Sequence, residues 1–489
     1  MHASHPLRPL SNLDASFLHL ETTRTPMHLV GMFIFQNRRG QFMDAAGFRE
    51  HVRVRVNRHR IMRERLIQST LGFGKLWWAE DVEFDLEDHL HFVESDGPLD
   101  QALLAKLSEN FLRPLLDRNR PLWELLFVSE KGSGAGNAQF AVVLKVHHAA
   151  CDGLSAKNLI ASLFDGFGVV AESEELPLVE RGMVPALPPS IWQVAARDLE
   201  EWRGVAARSV NLVKNASWCA MRSIQMRWHS AYSQPAFFAA PPSPFNVAIG
   251  EDRVRFSVEL SLPILKAIRE QRPELTINDI VLAICGGGFR RYFQSVGKKQ
   301  CRALVGFAPI SKRTSDDTLN GGNQVSGMLL ELGNDIRDPL KRLQRVHENA
   351  AQAKRFNREI PFERLLDDLP TSLLAGYLRA LAKGRLAERM PPIFNTVITN
   401  IAMLPPSFHL AGAPLVSFST YAPISDAMAL SIVVLTQGDT TVLGVTTTQE
   451  AVKHPARFAE AMRYAQQDLA KACGVSWTPE RALAYAEIA

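Results

Sequence analysis

Little in this chain belongs to the chemistries that announce themselves by composition. Only five cysteines occur in 489 residues, at Cys151, Cys219, Cys285, Cys301 and Cys473. They are odd in number, far apart and without zinc-ligand spacing, so they spell neither a disulfide framework nor a cysteine metal site; reduced thiols in a cytosolic protein are expected. No apolar run approaches ~20 residues, and no transmembrane helix is expected. The opening MHASHPLRPLSNLD has no apolar h-region, so no secretory signal is expected. There is no G-x-S-x-G elbow, which argues against a serine hydrolase of that type. No repeat of 20–50 residues and no low-complexity tract is present. The net charge of +4 is too mild, over this length, to suggest nucleic-acid binding.

What is present reads as a mixed α/β (α+β) protein in two halves. The chain is 46% hydrophobic and 22% charged, ordinary for a globular protein and longer than one compact core usually needs. Strands are predicted at Leu29–Phe35, Leu122–Val128 and Phe140–Val146, and a helix over Leu154–Phe164. The glycine-rich Lys131–Asn137 stretch lacks the Walker lysine and sits between two strands, so a hairpin loop is expected there. These elements compose a first half, 1–172. Residues 173–244 form a linker: proline-rich and acidic at first, then one or two long helices. From Trp202 to Tyr232 that helix carries Arg203, Arg208, Lys214, Arg222 and Arg227 and no acidic residue, interleaved with apolar positions. It is either a membrane-surface helix or a bridging helix with solvated charges. Prolines 235, 241, 242 and 244 close the linker, and a second half, 245–489, follows. There strands are predicted at Val254–Leu260, Leu304–Ala308, Thr396–Thr399, Leu430–Leu435 and Thr441–Thr447. Ser261 is placed as the N-cap of one helix, and another runs from about Leu275 to Phe293.

The chemistry concentrates in His147-His-Ala-Ala-Cys-Asp-Gly153. Phe140, Val142, Leu144 and Val146 alternate along the preceding strand. His148 continues that phase and His147 falls on the opposite side. One histidine is therefore free to enter a channel while the other makes structural contacts. Asp152 either caps the helix that Gly153 opens or holds the loop through an arginine. A neutral imidazole suits acyl transfer to an alcohol, because it takes the hydroxyl proton and returns it to the leaving group. Two competing readings are weaker. Adjacent histidines on a strand do not readily share a metal ion, and no other ligand cluster is apparent, so no metal is expected. Cys151 is close to His148 in sequence, but nothing shows that the two side chains meet.

With these residues in place, the chain resembles the bacterial wax ester synthase/acyl-CoA:diacylglycerol acyltransferases. HHAACDG fits that family's HHxxxDG motif. Pro9-Leu-Ser-Asn-Leu-Asp14 with Phe17, and Thr25-Pro-Met-His28, are similar to its opening. Arg120-Pro-Leu-Trp123, Asn278-Asp279, Pro309-Ile-Ser-Lys-Arg313 and Gly322-Asn323 resemble its PLW, ND, PVSxR and GN motifs. Where the family often reads SNVPGP, this chain has Thr399-Asn-Ile-Ala-Met-Leu-Pro405.

The resemblance implies a two-domain CoA-dependent acyltransferase fold, similar to chloramphenicol acetyltransferase and BAHD enzymes, with a channel between the halves. It implies His148 as general base, His147 in support, and Asp152 holding the loop by pairing with Arg313. Asn278 either orients substrate or the oxyanion, or caps its own helix; Asp279 either joins it or only supports the helix start. Acyl-CoA would be a substrate rather than a cofactor, and a long-chain alcohol or diacylglycerol the acceptor, with direct transfer and no acyl-enzyme. A cytoplasmic protein, peripheral on the inner membrane or on lipid droplets, is expected. Two alternatives are a carrier-protein-dependent or condensation-type enzyme of the same fold, and a non-catalytic lipid-droplet surface protein.

Overall fold

Side chains of one strand, Gln139–His147, divide between two apolar clusters and set the frame of the first half. Phe140, Val142, Leu144 and Val146 pack with Phe33, Phe35 and Phe127 on one face, and Ala141 and Val143 with Val30, Met32 and Leu126 on the other. The strand is thus covered on both sides, as its near-continuous apolar run requires. The structure, a computed structural model, describes residues 7–38, 43–68, 75–131, 138–151, 153–166, 191–229, 235, 238–298, 302–311, 325–360, 365, 368–383, 390–401 and 403–476.

In chain order the strands are β1 Arg8–Pro9, β2 His28–Gln36, β3 Glu64–Ile67, β4 Trp77–Glu80, β5 Leu90–Ser95, β6 Trp123–Glu130, β7 Gln139–His147, β8 Val254–Ser261, β9 Val305–Ser311, β10 Val325–Glu331, β11 Thr396–Asn400, β12 His409–Leu410, β13 Ala413–Tyr421, β14 Leu430–Gln437 and β15 Thr440–Thr447. The helices are α1 Asn12–Leu20, α2 Ala45–Arg53, α3 Gln101–Leu107, α4 Glu109–Leu112, α5 Gly153–Leu163, α6 Ile191–His229, α7 Leu262–Gln271, α8 Ile277–Ser295, α9 Pro339–Glu359, α10 Thr371–Lys383 and α11 Pro455–Ala472. One six-stranded sheet has the order β12-β13-β2-β7-β6-β5, a second β10-β9-β11-β14-β15-β8, and a small sheet β1-β4-β3 lies beside the first. Both large sheets are mixed, with β5–β6 parallel in the first, and β9–β11 and β11–β14 parallel in the second.

The proline cluster before residue 245 separates chain segments but not sheets. Strands β12 and β13, from the second half of the sequence, complete the first sheet, and β13 pairs antiparallel with β2 from Leu415↔Phe35 to Tyr421↔Val30. A glycine permits the crossing. A Cβ on Gly444 of β15 would lie 1.8 Å from the carbonyl oxygen of Thr420 in β13. Close backbone approach of this kind is what glycine allows. Gly444→Ala is expected to cost about 1–3 kcal/mol, the range for overpacking a filled site, measured by denaturant unfolding. Wild-type stability in that variant would show that β13 is not held against β15 there.

Other local expectations meet particular outcomes. The glycine-rich stretch joins two antiparallel strands, β6 and β7; residues 132–137 themselves lie outside the described set. Ser261 occupies the N-cap position of α7, but its side chain makes no capping bond, and its backbone N–H donates to Gln466 Oε1 instead. Gln466 of α11 brackets the Ser261 backbone, accepting from its N–H and donating to its carbonyl. The linker helix is one continuous helix, α6, of 39 residues.

Candidate active site at the end of β7

The double histidine sits where β7 runs out between two supports. On one side His147 pairs with His28 of β2, and the His148 N–H donates to Met27 O at 2.8 Å. On the other, the His147 N–H donates to Leu122 O at 3.0 Å, while Trp123 pairs with Val146 and its indole N–H donates to Met62 O. The Thr25–His28 and Pro121–Trp123 segments are thus the backbone clamps of the motif. They hold it through main-chain bonds, which fix position without constraining the histidine rings.

The two rings go different ways. His148 is half-buried and stacks on Phe17 of α1, with ring centroids 3.9 Å apart and planes at 15°. Helix α1 is itself anchored. Ser11 caps it by accepting from the Asp14 N–H, and Asn12 bonds both Leu369 O and Thr371 Oγ1 at the start of α10. His147 is buried with an exposure of 1%. Its Nδ1 accepts from the Ala149 N–H at 3.0 Å, which places the neutral ring's proton on Nε2. That nitrogen lies 3.1 Å from Glu21 Oε1.

Glu21 is the centre of a buried charged cluster that the sequence did not announce. Its Oε1 is 3.7 Å from His28 Nε2 and accepts weakly from the Met27 N–H; its Oε2 accepts from Arg118 Nη2 at 2.9 Å. Burial alone would raise the Glu21 carboxyl, but the donors gathered around it, His147 first, then Arg118 and His28, outweigh it and hold the group at about 2. His28 is pushed well below the ordinary histidine range by burial and by the charge of Lys145, with Glu21 opposing. Lys145, two residues before His147 on the same side of β7, donates to Phe111 O and to Glu124. Glu21 therefore carries a fixed negative charge behind the motif, and His28 is neutral beside it. A single glutamate just past a short helix gives no periodic signal. The one local hint is its position, between the α1 segment and the Thr25–His28 clamp.

The remaining predicted residues scatter. Asn278 and Asp279 open α8, under the Thr276 N-cap. Asn278 is partly exposed, and its Oδ1 accepts from Asn400 Nδ2 at 3.3 Å. Two separate motif segments therefore meet, since Asn400 belongs to the divergent Thr399–Pro405 stretch. Asp279 is occupied structurally: Oδ2 accepts from the Thr276 N–H and lies 3.0 Å from His347 Nδ1, in a reciprocal capping box. Buried in that cap, it supports the helix start. Gly153 opens α5. Asp152 and Arg313, whose pairing the resemblance implies, lie outside the described residues, as do Gly322 and Asn323. Cys151 is buried in the apolar cluster with Leu159, Ile160 and Phe164. Among the described residues, no group of three His, Cys, Asp or Glu side chains is placed to hold a metal ion.

This arrangement can hold one imidazole rigidly in the interior and offer the next one to a bound hydroxyl. Comparisons with known proteins place the whole chain. The wax ester synthase/diacylglycerol acyltransferase catalytic domain model matches residues 10–281, and the WS/DGAT C-terminal domain model matches residues 321–470. A Mycobacterium tuberculosis (strain ATCC 25618 / H37Rv) protein named a probable diacylglycerol O-acyltransferase is 27% identical over 466 residues, 94% of this chain and 98% of its own length. Among solved structures, the wax ester synthase/diacylglycerol acyltransferase from Marinobacter aquaeolei VT8 superposes with a TM-score of 0.64 at 24% identity, over 95% of this chain and all of that one. The trichothecene 15-O-acetyltransferase TRI3 from Fusarium sporotrichioides does so with a TM-score of 0.59 at 12% identity, over 95% of each chain. At these identities the structural likenesses show a common fold.

Proposed function

This chain belongs to the wax ester synthase/diacylglycerol acyltransferase family and is an acyltransferase of that type, and on that premise we propose that it moves a fatty acyl group from acyl-CoA to a long-chain alcohol or a diacylglycerol. The observation that carries the reading is the division of labour at the end of β7. His147 is tied inward between the Ala149 N–H and Glu21, while His148 stays half-buried on the face of Phe17.

In the proposed reaction His148 takes the proton of the acceptor hydroxyl as its oxygen attacks the thioester carbonyl. The tetrahedral intermediate collapses with cleavage of the carbon–sulfur bond, the ester is released, and the imidazolium returns its proton to the CoA thiolate. No bond to the protein forms at any point. Acyl-CoA enters as substrate, and no further cofactor is invoked. Asn278, beside Asn400, is the group proposed to orient substrate or donate to the developing oxyanion. Acceptors of this class reside in lipid, so the protein is proposed to work at the surface of a membrane or lipid droplet. In keeping with a surface location, no helix among the described residues is long and apolar enough to cross a membrane.

Purified protein incubated with palmitoyl-CoA and a panel of hexadecanol, shorter alcohols and diacylglycerol is expected to release CoA stoichiometrically with ester, detected by mass spectrometry. Ester formation only from an acyl-carrier protein would refute the donor assignment. Absence of ester with every lipid alcohol would refute the acceptor class.

A further inference from the structure

Helix α6 is amphipathic in an unusual direction: its packed face is narrow and its bare face is apolar. Inward, Cys219 and Met226 pack on Ile360 with Phe356 and Leu365. Arg222 pairs with Glu359 at 2.6 Å, and Asn215 donates to Asp368 at 2.6 Å. These contacts fix the rotation of the helix. Outward stand Trp192, Leu199, Trp202, Val210, Val213, Met221, Ile224 and Trp228, all exposed, with Trp192 at 80%, Val210 at 68% and Trp228 at 84%.

Their spacing is regular. Leu199, Val210 and Met221 are eleven residues apart, and so are Trp202, Val213 and Ile224. Eleven residues make three turns plus only ~20°, so the row runs almost parallel to the helix axis. From Trp192 to Trp228 it extends about 54 Å. A row of exposed large apolar side chains of that length is a feature of interaction surfaces.

We propose that this row is the face by which the protein docks on an anionic lipid surface, with α6 lying in the plane of the headgroups. The lipid surface as partner rests on the lipid substrates proposed above; the geometry rests on α6 alone. Three features select lipid over a second copy of the chain. Tryptophan, found on the row at Trp192, Trp202 and Trp228, suits the boundary between acyl chains and water. Arg203 and Lys214 are exposed beside the row, where their stems can lie along apolar surface and their charges reach headgroups. From Trp202 to His229 there is no acidic residue, so the charges flanking the row over this stretch are all positive, and anionic headgroups would neutralise them. The docked face also connects to the site. The stretch packed under α6 leads into α10, which holds α1 and so Phe17, on which His148 stacks.

The test is co-sedimentation of the full chain with phosphatidylcholine vesicles, with and without phosphatidylglycerol. The variants are Val213→Glu/Ile224→Glu and, as a control outside α6, Val54→Glu. Wild type and the control are expected to bind the anionic vesicles, less so as salt rises, and the double variant to bind at least about tenfold more weakly with an unchanged far-ultraviolet circular dichroism spectrum. Failure of wild type to bind, equal binding by the double variant, or a wild-type dimer that the double variant dissociates would each overturn the proposal. Acyl transfer to a short soluble alcohol is measured on the same samples and is expected to be equal in all three. Vesicle binding without any ester formation would remove the acyl-CoA reading and leave this one; ester formation without vesicle binding would do the reverse.

Discussion

His148→Ala is expected to lower kcat with palmitoyl-CoA and hexadecanol by about 10²–10⁴-fold, the usual contribution of a positioned general base, with melting temperature and circular dichroism close to wild type. Truncation should be tolerated structurally for three reasons. His148 is only half-buried; its backbone N–H still reaches Met27 O; and its neighbour His147 makes the interior contacts. KM for palmitoyl-CoA should change little, since the imidazole is asked to move a proton rather than to hold the donor. Near-wild-type turnover in a well-folded His148→Ala protein would remove the proposed mechanism. Partial recovery on adding free imidazole would tie the loss to the missing base.

Glu21→Ala is expected to act in the opposite proportion, chiefly through stability. It would leave Arg118, and the Nε2 sides of His147 and His28, facing a buried space with no negative charge. Leaving buried donors without their acceptor costs about 1–3 kcal/mol each, and Arg118, whose side chain is 36% exposed, adds less because solvent screens it. Glu21→Gln keeps an oxygen toward His147 Nε2 and loses only the charge, so its stability loss should be nearer about 1–3 kcal/mol. Glu21 is a positioning residue, and the readout that separates it from plain packing is the dependence of stability on pH. Its carboxyl is held at about 2, below the ordinary 4.5. A depressed carboxyl stabilises the folded state fully above pH 4.5, and that contribution disappears as pH falls toward about 2. Over this range the contribution is ~3 kcal/mol at most. Denaturant titrations of wild type should therefore lose stability across that window, and Glu21→Gln should show a shallower decline. Parallel curves for the two proteins would mean that the charge is not coupled to folding.

The strands and the opposed histidines were legible because a period of two is written directly in the residues: Phe140, Val142, Leu144 and Val146 could face only one way together. The start of α8 was within reach only in part, since supporting the helix start was one of the two readings of Asp279. What could not be read was anything decided by distant pairing. β13 has the strand-like residues of either sheet, and no local pattern tells it to join β2 rather than β14. Glu21 looks like any helix-terminal glutamate until Arg118, His28 and His147 are brought around it from three other segments. Apolar positions among the cations of α6 were visible, but a buried face and a bare one have the same periodicity, and only the position of the body against Cys219 and Met226 distinguishes them. The expectation for Asp279 divided for a similar reason. Its chemistry suits substrate or cap, and His347, contributed by α9, occupies the side chain at the cap.

The passage of β13 beside β2 has a consequence for how the protein is made. During synthesis β2 emerges early and pairs with β7, but its other edge stays open until residues 413–421 have left the ribosome. An unpaired apolar edge of this kind is a template for wrong partners, and closure between segments nearly 400 residues apart is a slow, late event. The halves visible in the sequence are therefore not units that can be expressed, swapped or evolved apart: a chain stopped at the linker would present β2 with no native neighbour on that side, and aggregation rather than a folded half is its expected fate.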